Sequence, residues 1–278
     1  MKKNVLAGSF AISRPVNVLI SMLSIFVAAF ITGTISPFIK VLLACFSGGI
    51  IMAASNTMND YFDLDIDRVN RPKRPLVSGK LKPLFALRLA QLEFAVGIFL
   101  GLFISFTAFF IALVISSLII FYSYKLKRLP LIGNLMVSFA TSMAFIYGGV
   151  AVNRIRQTIV PAVFSFFYHF GREIIKDVQD MQGDAAGHAR TFPLVYGEKA
   201  ALQLTTLNFI FLILLLPVPY LIRWYNLNYL LVIILGICPV LFFSIYSIWK
   251  DKSPANLGRI STLLKADMPV GLLAIYLG

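Results

Sequence analysis

The sequence predicts an all-α integral membrane protein, with about nine transmembrane helices around a central cavity and a cytoplasmic N-terminus. Hydrophobic residues make up 59% of the 278 residues, and the mean hydropathy is +0.84. Soluble domains of this size are rarely so apolar. The apolar residues also occur in runs of roughly 20 residues, the length that crosses a bilayer core. A third observation, the distribution of charge, supplies the orientation.

Nine apolar runs follow one another along the chain, and we expect them to form a single domain over residues 1–278. No cleavable signal peptide is expected, because the first run follows Arg14-Pro15 and leads directly into further membrane segments. Two lone cysteines, Cys45 and Cys238, fall within runs and are expected to be packing residues. The runs are Val16–Thr34, Phe38–Thr57, Leu84–Phe103, Ala108–Tyr124, Gly133–Val152, Val160–Ile175, Leu202–Leu221, Tyr229–Trp249 and Leu263–Leu277.

Positive charge is concentrated on one side of this arrangement. With nine spans, 21 of the 25 Lys and Arg residues lie on the side of the N-terminus, which predicts that this side is cytoplasmic. All twelve acidic residues lie on that side or in the inner half of a span. The net charge of +13 therefore indicates membrane anchoring and contact with anionic headgroups, and does not require a nucleic acid. We predict a multi-pass protein of the cell membrane with its site near the cytoplasmic face.

Two acidic ladders with the same spacing stand out in this apolar chain. Both step by four, three and four residues, so the members of each ladder fall within roughly 60° of one another on a helix. The ladders are 117 residues apart in register, which fits either an ancient duplication or a shared chemistry. Their members are Asn56, Asp60, Asp63 and Asp67 in the first ladder, and Glu173, Asp177, Asp180 and Asp184 in the second.

Crowded carboxylates indicate that cations bind between them. The ladders contain seven of the twelve carboxylates of the chain, and such groups repel one another unless positive charge intervenes. Carboxylates with water and phosphate oxygens are typical Mg²⁺ ligands, so the pattern predicts a metal and a phosphorylated substrate. Asp65 points to the opposite side of the helix and is predicted not to be a ligand. Asn56 and Glu173, the outer members, receive no definite role. The alternative is an acidic, hydrated loop without a ligand.

Basic and polar residues accompany the ladders in two predicted cytoplasmic loops, 59–83 and 177–201. Arg71 and Arg74 lie in a proline-stiffened turn, and their guanidinium groups suit phosphate oxygens, whereas Lys73 is expected to contact headgroups. Arg172 and Lys176 flank the second ladder and either neutralise its glutamate or reach the substrate. Further candidates, which equally fit an interfacial belt, are Arg14, Asn17, Tyr122, Tyr124, Lys125, Lys127 and Arg128. Two histidines, His169 and His188, lack a partner at metal-ligand spacing and are expected to be ordinary packing or loop residues.

The ladder motifs resemble those of the UbiA superfamily of intramembrane prenyltransferases, over nearly the whole chain. Asn59-Asp60-Tyr-Phe-Asp63-Leu-Asp-Ile-Asp67 is similar to the superfamily's NDxxDxxxD motif. Asp177-Val-Gln-Asp180-Met-Gln-Gly-Asp184 is similar to its DxxDxxxD motif. The tyrosine–lysine motif YxxxK is not cleanly matched. Whether Lys125, Lys127 or Arg128 takes the phosphate-binding role therefore stays open.

The second motif and its surroundings further resemble the archaeal digeranylgeranylglyceryl phosphate synthases, a branch of that superfamily. The resemblance rests on Arg172-Glu173-Ile-Ile-Lys176-Asp177, on Gly183-Asp184 and on Thr191-Phe-Pro193. It implies Mg²⁺-dependent transfer of a geranylgeranyl group from its diphosphate to geranylgeranylglyceryl phosphate, with release of diphosphate. The alternatives are an aromatic acceptor, such as 4-hydroxybenzoate or a quinone precursor, and an ion or phosphate transporter. Transport is disfavoured because the acidic residues cluster at one boundary and trace no path across the membrane.

The resemblance and the physical argument together assign roles to the site. One Mg²⁺ is expected on Asn59, Asp60, Asp63 and Asp67, and a second on Asp177, Asp180 and Asp184. Of these, Asp63, Asp67, Asp180 and Asp184 are expected to be catalytic. Aromatic residues, among them 25 Phe, are expected to offer ring faces to an allylic cation, although most of these Phe are expected to face lipid or to pack. A lateral opening is expected to admit the isoprenoid. Substrate binding is expected from Arg14, Asn17, Arg71, Arg74, Tyr122, Tyr124, Lys125, Lys127, Arg128, Arg172 and Lys176.

Overall fold

The computed structural model describes residues 2–278, apart from the side chains of residues 2–4 and 128, and this range folds into helices with no strand. The helices are α1 (Lys2–Ile12), α2 (Pro15–Phe30), α3 (Phe38–Phe62), α4 (Leu64–Asn70), α5 (Pro83–Leu102), α6 (Phe106–Tyr124), α7 (Ile132–Ala151), α8 (Ile159–Gln179), α9 (Met181–Ala186), α10 (Phe192–Tyr196), α11 (Glu198–Leu215), α12 (Val218–Leu221), α13 (Leu227–Val232), α14 (Cys238–Lys250) and α15 (Pro254–Leu277).

The helices agree with a multi-pass membrane protein. Seven stretches within the described residues are long and apolar enough to cross a bilayer, and α1 and α2 add an eighth if they form one span bent by 47°. Each of the nine predicted runs coincides with helix, including Val160–Ile175, which lies in α8. By length and composition α8 does not count as a span, because its last two turns carry the charges of the second ladder. The predicted number of nine is therefore not confirmed.

Local sequence accounts for where most helices begin and bend. Proline occupies the first turn of α2, α5 and α15, where its missing N–H costs no hydrogen bond. Ser105 accepts a hydrogen bond from the Ala108 N–H at 3.1 Å and caps α6, so the tight hairpin after α5 turns where the sequence predicted. Between α13 and α14 the helix widens into a π turn over Ile233–Ile237, just before Pro239, which lacks the N–H that a regular helix needs.

The two helices that carry the ladders both end before the third residue of the ladder. Helix α3 ends before Asp63 (φ −92°, ψ 7°) and α8 ends before Asp180 (φ −98°, ψ 6°), positions that correspond in the two ladders. The last residues of the ladders, Asp67 and Asp184, therefore belong to the short helices α4 and α9. The expectation of one continuous helix face per ladder is thus corrected. The segments 59–83 and 177–201 are likewise partly helical, because they contain α4, α9 and α10.

Two apolar clusters hold the helices together. One is formed mainly by α8, α11, α13, α14 and α15 around Phe209 and Leu241, and the other mainly by α2, α3, α5, α6 and α7 around Ile25 and Phe94. At the crossing of α2 with α7 the backbones come very close, because a Cβ added to Gly148 would lie 2.2 Å from the carbonyl oxygen of Ile25. Small residues permit such approaches between membrane helices.

We predict that Gly148→Ala lowers the thermal midpoint of the purified protein in detergent by several degrees, because the new methyl group would force α2 and α7 apart. Gly271→Ala is a matched control, since its Cβ would meet its nearest neighbour, Ile237 Cδ1, at an ordinary 3.7 Å. Equal midpoints for the two variants would contradict the close crossing.

Candidate functional site

The two broken helices face a common cavity of about 450 Å³ in the interior of the helix bundle. Its polar end is formed by the ends of α3 and α8 together with α4 and α9, and its apolar part by α2, α6 and α7. Most of the predicted site residues line it: Arg14, Asn17, Asn59, Asp63, Asp67, Arg71, Arg74, Tyr122, Lys127, Arg172, Lys176, Asp177, Asp180 and Asp184.

The remaining predicted residues lie elsewhere. Asp60 is 2% exposed but does not line the cavity, and it forms ion pairs with Arg14 and Arg74. Tyr124 and Lys125 are exposed, and the side chain of Arg128 lies outside the described residues. Of the cations near the end of α6, Lys127 therefore enters the cavity whereas Lys125 does not.

Asp65 provides a contrast within the first motif. Its side chain is 84% exposed, does not line the cavity and forms a surface ion pair with Arg68 at 2.9 Å. Its neighbours Asp63 and Asp67 are buried. This placement agrees with the helical argument that separated Asp65 from the ladder.

Positive side chains compensate most of the buried carboxylates. Lys127 pairs with Asp63, Arg74 with Asp67, and Arg71 with Asp180. These contacts join the turn after α4 and the segment after α6 to both acidic motifs, so positive groups alternate with negative ones across the polar end.

Burial affects the acid–base properties of this cluster. It raises the pKa of Asp67 to about 6 in spite of the opposing charge of Arg74. It likewise raises the pKa of Asp184 to about 6, although the charge of Lys127 acts in the opposite direction. Burial disfavours the charged form of Lys127, but Asp63 outweighs this effect, and the pKa of the lysine is raised. Burial therefore makes the ionised forms of Asp67 and Asp184 costly even with Arg74 and Lys127 nearby.

Sequence reasoning missed two residues that orient the motifs. Asn134 is buried in α7 and donates a hydrogen bond to Asp177 Oδ2 at 2.8 Å, and Ser123 donates one to Asn59 Oδ1. The only signal in the sequence is a polar residue inside an apolar run. Polar residues inside apolar runs are common. Only the hydrogen-bond partner of such a residue, and not its type, shows that it orients a motif.

A third missed residue, Asn70, joins the two short helices. Its amide nitrogen donates to the carbonyl oxygen of Asp180, and its amide oxygen accepts from the N–H of Gly183, both at 3.1 Å. That N–H lies in the first turn of α9, where no intrahelical acceptor exists. A Cβ on Gly183 would come within 2.3 Å of the Asn70 amide nitrogen, so only glycine permits the contact. Asn70 therefore sets the position of α9 relative to α4.

The donor chemistry of the polar end fits Mg²⁺. The lining groups of both motifs are carboxylate and amide oxygens, which this cation prefers. Arg71 Nη2 lies 2.8 Å from Asp180 Oδ1 but donates its hydrogen bond to Oδ2 at 3.2 Å, which leaves the buried Oδ1 without an aligned donor. Within residues 2–278, no three His, Cys, Asp or Glu side chains are yet close enough together to hold a metal ion. Binding would therefore require these side chains to exchange their Arg and Lys partners for the metal.

The apolar part of the cavity has fewer aromatic rings than expected. Its aromatic lining residues are Tyr122, Tyr147 and His169, and no Phe is among the described residues that line it. The described Phe residues therefore lie outside the cavity lining, which agrees with the expectation that most of them face lipid or pack. The Tyr147 hydroxyl is held 2.8 Å from the Ser47 hydroxyl, which fixes this ring at the wall. His169, expected to be a packing residue, lines the cavity as well.

A helical membrane protein with two facing acidic motifs at the mouth of an apolar chamber has the architecture of an intramembrane prenyltransferase. Residues 21–260 match the model of the UbiA prenyltransferase family, so the chain belongs to this family and is a prenyltransferase. It is 32% identical over 268 residues to a digeranylgeranylglyceryl phosphate synthase of Methanosphaera stadtmanae, with 96% of this chain and 97% of that protein covered. The corresponding protein of Methanobrevibacter smithii is 35% identical over 276 residues, with 96% of each covered.

Solved structures show the same fold. A structure described as that of digeranylgeranylglyceryl phosphate synthase in membranes matches with a TM-score of 0.77 and 29% identity, covering 99% of this chain and 98% of that chain. A UbiA homologue of Archaeoglobus fulgidus, bound to DMAPP and Mg²⁺, matches with a TM-score of 0.71. It is 21% identical, with 95% of this chain and 98% of that chain covered, and this likeness supports the fold alone.

We predict that Asn70→Ala and Gly183→Ala each reduce prenyltransferase activity by about tenfold, because each removes the same link between α4 and α9. The double variant should lose little more than either single variant, since coupled positions are not additive. Initial rates with saturating substrates would measure the effect. Losses that multiply in the double variant would contradict the shared role.

Proposed function

We propose that this protein catalyses Mg²⁺-dependent transfer of the geranylgeranyl group of geranylgeranyl diphosphate to the free hydroxyl of geranylgeranylglyceryl phosphate. The products are digeranylgeranylglyceryl phosphate, an archaeal ether lipid precursor, and diphosphate. The observation that carries the proposal is the cavity, in which two acidic motifs face one another beside an apolar chamber. The names of relatives that match this chain over almost their full length support the choice of acceptor.

The metal-binding groups of the proposal are the lining oxygens of the two motifs. We assign Asn59, Asp63 and Asp67 to one Mg²⁺, and Asp177, Asp180 and Asp184 to a second. When bound, Mg²⁺ neutralises the charge that develops on the departing diphosphate. Asp60, which pairs with Arg14 and Arg74 behind the cavity wall, is proposed to hold these arginines rather than the metal.

Residues of the chain bind the donor and keep water away from it. Arg71, Arg74 and Lys127 lie beside the acidic motifs and would hold the diphosphate oxygens as its bond to the allylic carbon breaks. Tyr122 and Tyr147 line the cavity, and their rings would stabilise the allylic cation. Isoleucine and methionine side chains line the rest of the cavity and exclude water from the cation before the acceptor hydroxyl attacks.

The proposal includes an orientation. We propose nine spans in a single domain, with the N-terminus and the active site at the cytoplasmic face. Support comes from the charge distribution, in which 21 of the 25 Lys and Arg residues fall on that side. An isoprenoid tail dissolved in the bilayer would then enter laterally while its diphosphate stays at the boundary.

Product formation tests the proposal directly. Purified protein in nanodiscs would be given Mg²⁺, labelled geranylgeranyl diphosphate and either geranylgeranylglyceryl phosphate or 4-hydroxybenzoate. We expect a labelled ether product with the first acceptor only. Labelling of the aromatic acceptor alone would show that the acceptor is misassigned. If neither acceptor is labelled, the proposed activity is rejected and the transporter alternative is favoured.

We predict that Asp63→Asn and Asp180→Asn each lower kcat by about 100-fold or more, because each removes a carboxylate that faces the cavity. Asp65→Asn is the matched control in the same motif and should retain most activity, since its side chain is exposed. Comparable losses at all three positions would contradict the assignment.

We predict that the Mg²⁺ concentration for half-maximal activity rises several-fold when the pH is lowered from 7.5 to 5.5. Asp67 and Asp184 each have a pKa of about 6 in the metal-free protein, so protons compete with the cation below that pH. Titrations with Mg²⁺ at each pH would measure the shift, and Asp65→Asn should show the same shift as the unaltered protein. A requirement for Mg²⁺ that is independent of pH would contradict the prediction.

A further inference from the structure

The basic residues of the cavity fall into two groups according to what they contact. Arg14, Arg71, Arg74 and Lys127 each form an ion pair with an aspartate of the acidic motifs. A second group, which we call the α8–α15 cluster, consists of Arg172, Lys176 and Lys265. It lines the same cavity but forms no ion pair with any of those aspartates among the described residues.

Packing between α8 and α15 brings the cluster together. Arg172 Nε donates a hydrogen bond to the carbonyl oxygen of Ser261 at 3.0 Å, which fixes the guanidinium group against α15. Lys265 follows Ser261 by one helical turn on α15, and Lys176 follows Arg172 by one turn on α8. All three residues therefore line the cavity from these two packed helices.

The cluster carries an uncompensated charge. Among the described residues, Glu173 is the only carboxylate within ion-pair distance of it, 3.2 Å from Arg172 Nη1 and 2.7 Å from Lys176 Nζ. Lys265 is half-buried and has no carboxylate within ion-pair distance among the described residues. Three cations against one carboxylate leave a net charge of two.

The positive charge of the cluster would be stabilised by a bound anion from outside the chain. Like charges in a partly enclosed cavity destabilise one another unless a counter-charge lies between them. In the proposed function, the donor diphosphate is bound by the first group of basic residues, which lies next to the aspartates. The free anion of the proposed reaction is the phosphate monoester of the acceptor, whose charge of about minus two matches that of the cluster.

We infer that Arg172, Lys176 and Lys265 form a second anion subsite, which binds the phosphate monoester of the prenylated glycerol acceptor. This inference rests on the proposed function and gives it a physical basis for acceptor choice. A phosphate held at α8 and α15 would fix the acceptor across the cavity from the donor diphosphate. The two anionic headgroups would then be kept apart, and the glycerol hydroxyl would lie between them.

Substitution of Lys265 tests the inference without altering any residue assigned to the donor. We expect Lys265→Gln to raise the KM for geranylgeranylglyceryl phosphate by about tenfold, while the KM for geranylgeranyl diphosphate changes less than twofold. Lys265→Arg, which keeps the charge, should restore most of the loss. Lys199→Gln serves as the control, because Lys199 is exposed on α11 and does not line the cavity.

Acceptor chemistry provides a second readout. The unaltered protein should prefer geranylgeranylglyceryl phosphate to geranylgeranylglycerol, which lacks the phosphate, and Lys265→Gln should lose most of that preference. Inorganic phosphate should compete with the acceptor, and less so in the variant. An equal rise of the KM for both substrates would place the cluster at the donor site and overturn the inference.

Two further outcomes separate this inference from its alternatives. If the unaltered protein does not prenylate geranylgeranylglyceryl phosphate, the proposed function itself fails. If it does, but Lys265→Gln changes neither the KM nor the acceptor preference, only the phosphate subsite is wrong. Nanodiscs with and without anionic lipid distinguish a bilayer headgroup as the ligand. An effect of Lys265→Gln that occurs only with anionic lipid would overturn the acceptor assignment.

Discussion

The compensation of buried negative charge is the constraint on which this structure depends. Asp60, Asp63, Asp67, Glu173 and Asp184 are buried, and Asp177 and Asp180 are half-buried. Without nearby cations this charge would be prohibitively costly in a chain that otherwise packs apolar helices. Arginine and lysine side chains from α1–α2, from the turn after α4 and from the segment after α6 meet that requirement. Their convergence explains why the polar end of the cavity is built from segments distant in sequence.

The helix breaks are what make this convergence geometrically possible. An unbroken α3 or α8 would carry its last carboxylate away along the helix axis, whereas the breaks at Asp63 and Asp180 turn short helices toward each other. Asn70 then joins α4 to α9 through backbone groups of Asp180 and Gly183. The side chain of Asn70, which follows the first motif, thus holds the backbone of the second motif in position. A metal-binding site that depends on small differences in distance needs this kind of support.

The charges of the cavity are also segregated. Aspartates with their paired cations lie at the ends of α3 and α8, and the surplus of positive charge lies between α8 and α15. A metal–diphosphate complex suits the first environment and a lone phosphate the second. Family membership, shown by the match over residues 21–260, defines prenyl transfer. In our proposal, the segregation of charge connects that chemistry to an acceptor with a phosphate of its own.

Hydropathy and spacing were sufficient to predict an all-helical membrane protein, helix at each apolar run, both acidic motifs and the separation of Asp65 from its ladder, whereas the number of nine spans stays a prediction. These features follow from local periodicity and composition, which the sequence contains in full. Other features were not predictable in that way: the helix breaks, the entry of Lys127 rather than Lys125 into the cavity, the position of Asp60 outside the cavity lining, the contacts of Asn70 and Asn134, and the position of Lys265 at the cavity wall. Each depends on which side chain or backbone group a distant helix brings into contact. Periodicity assigns a residue to a face of its own helix, but only the packing of the helices determines what that face meets.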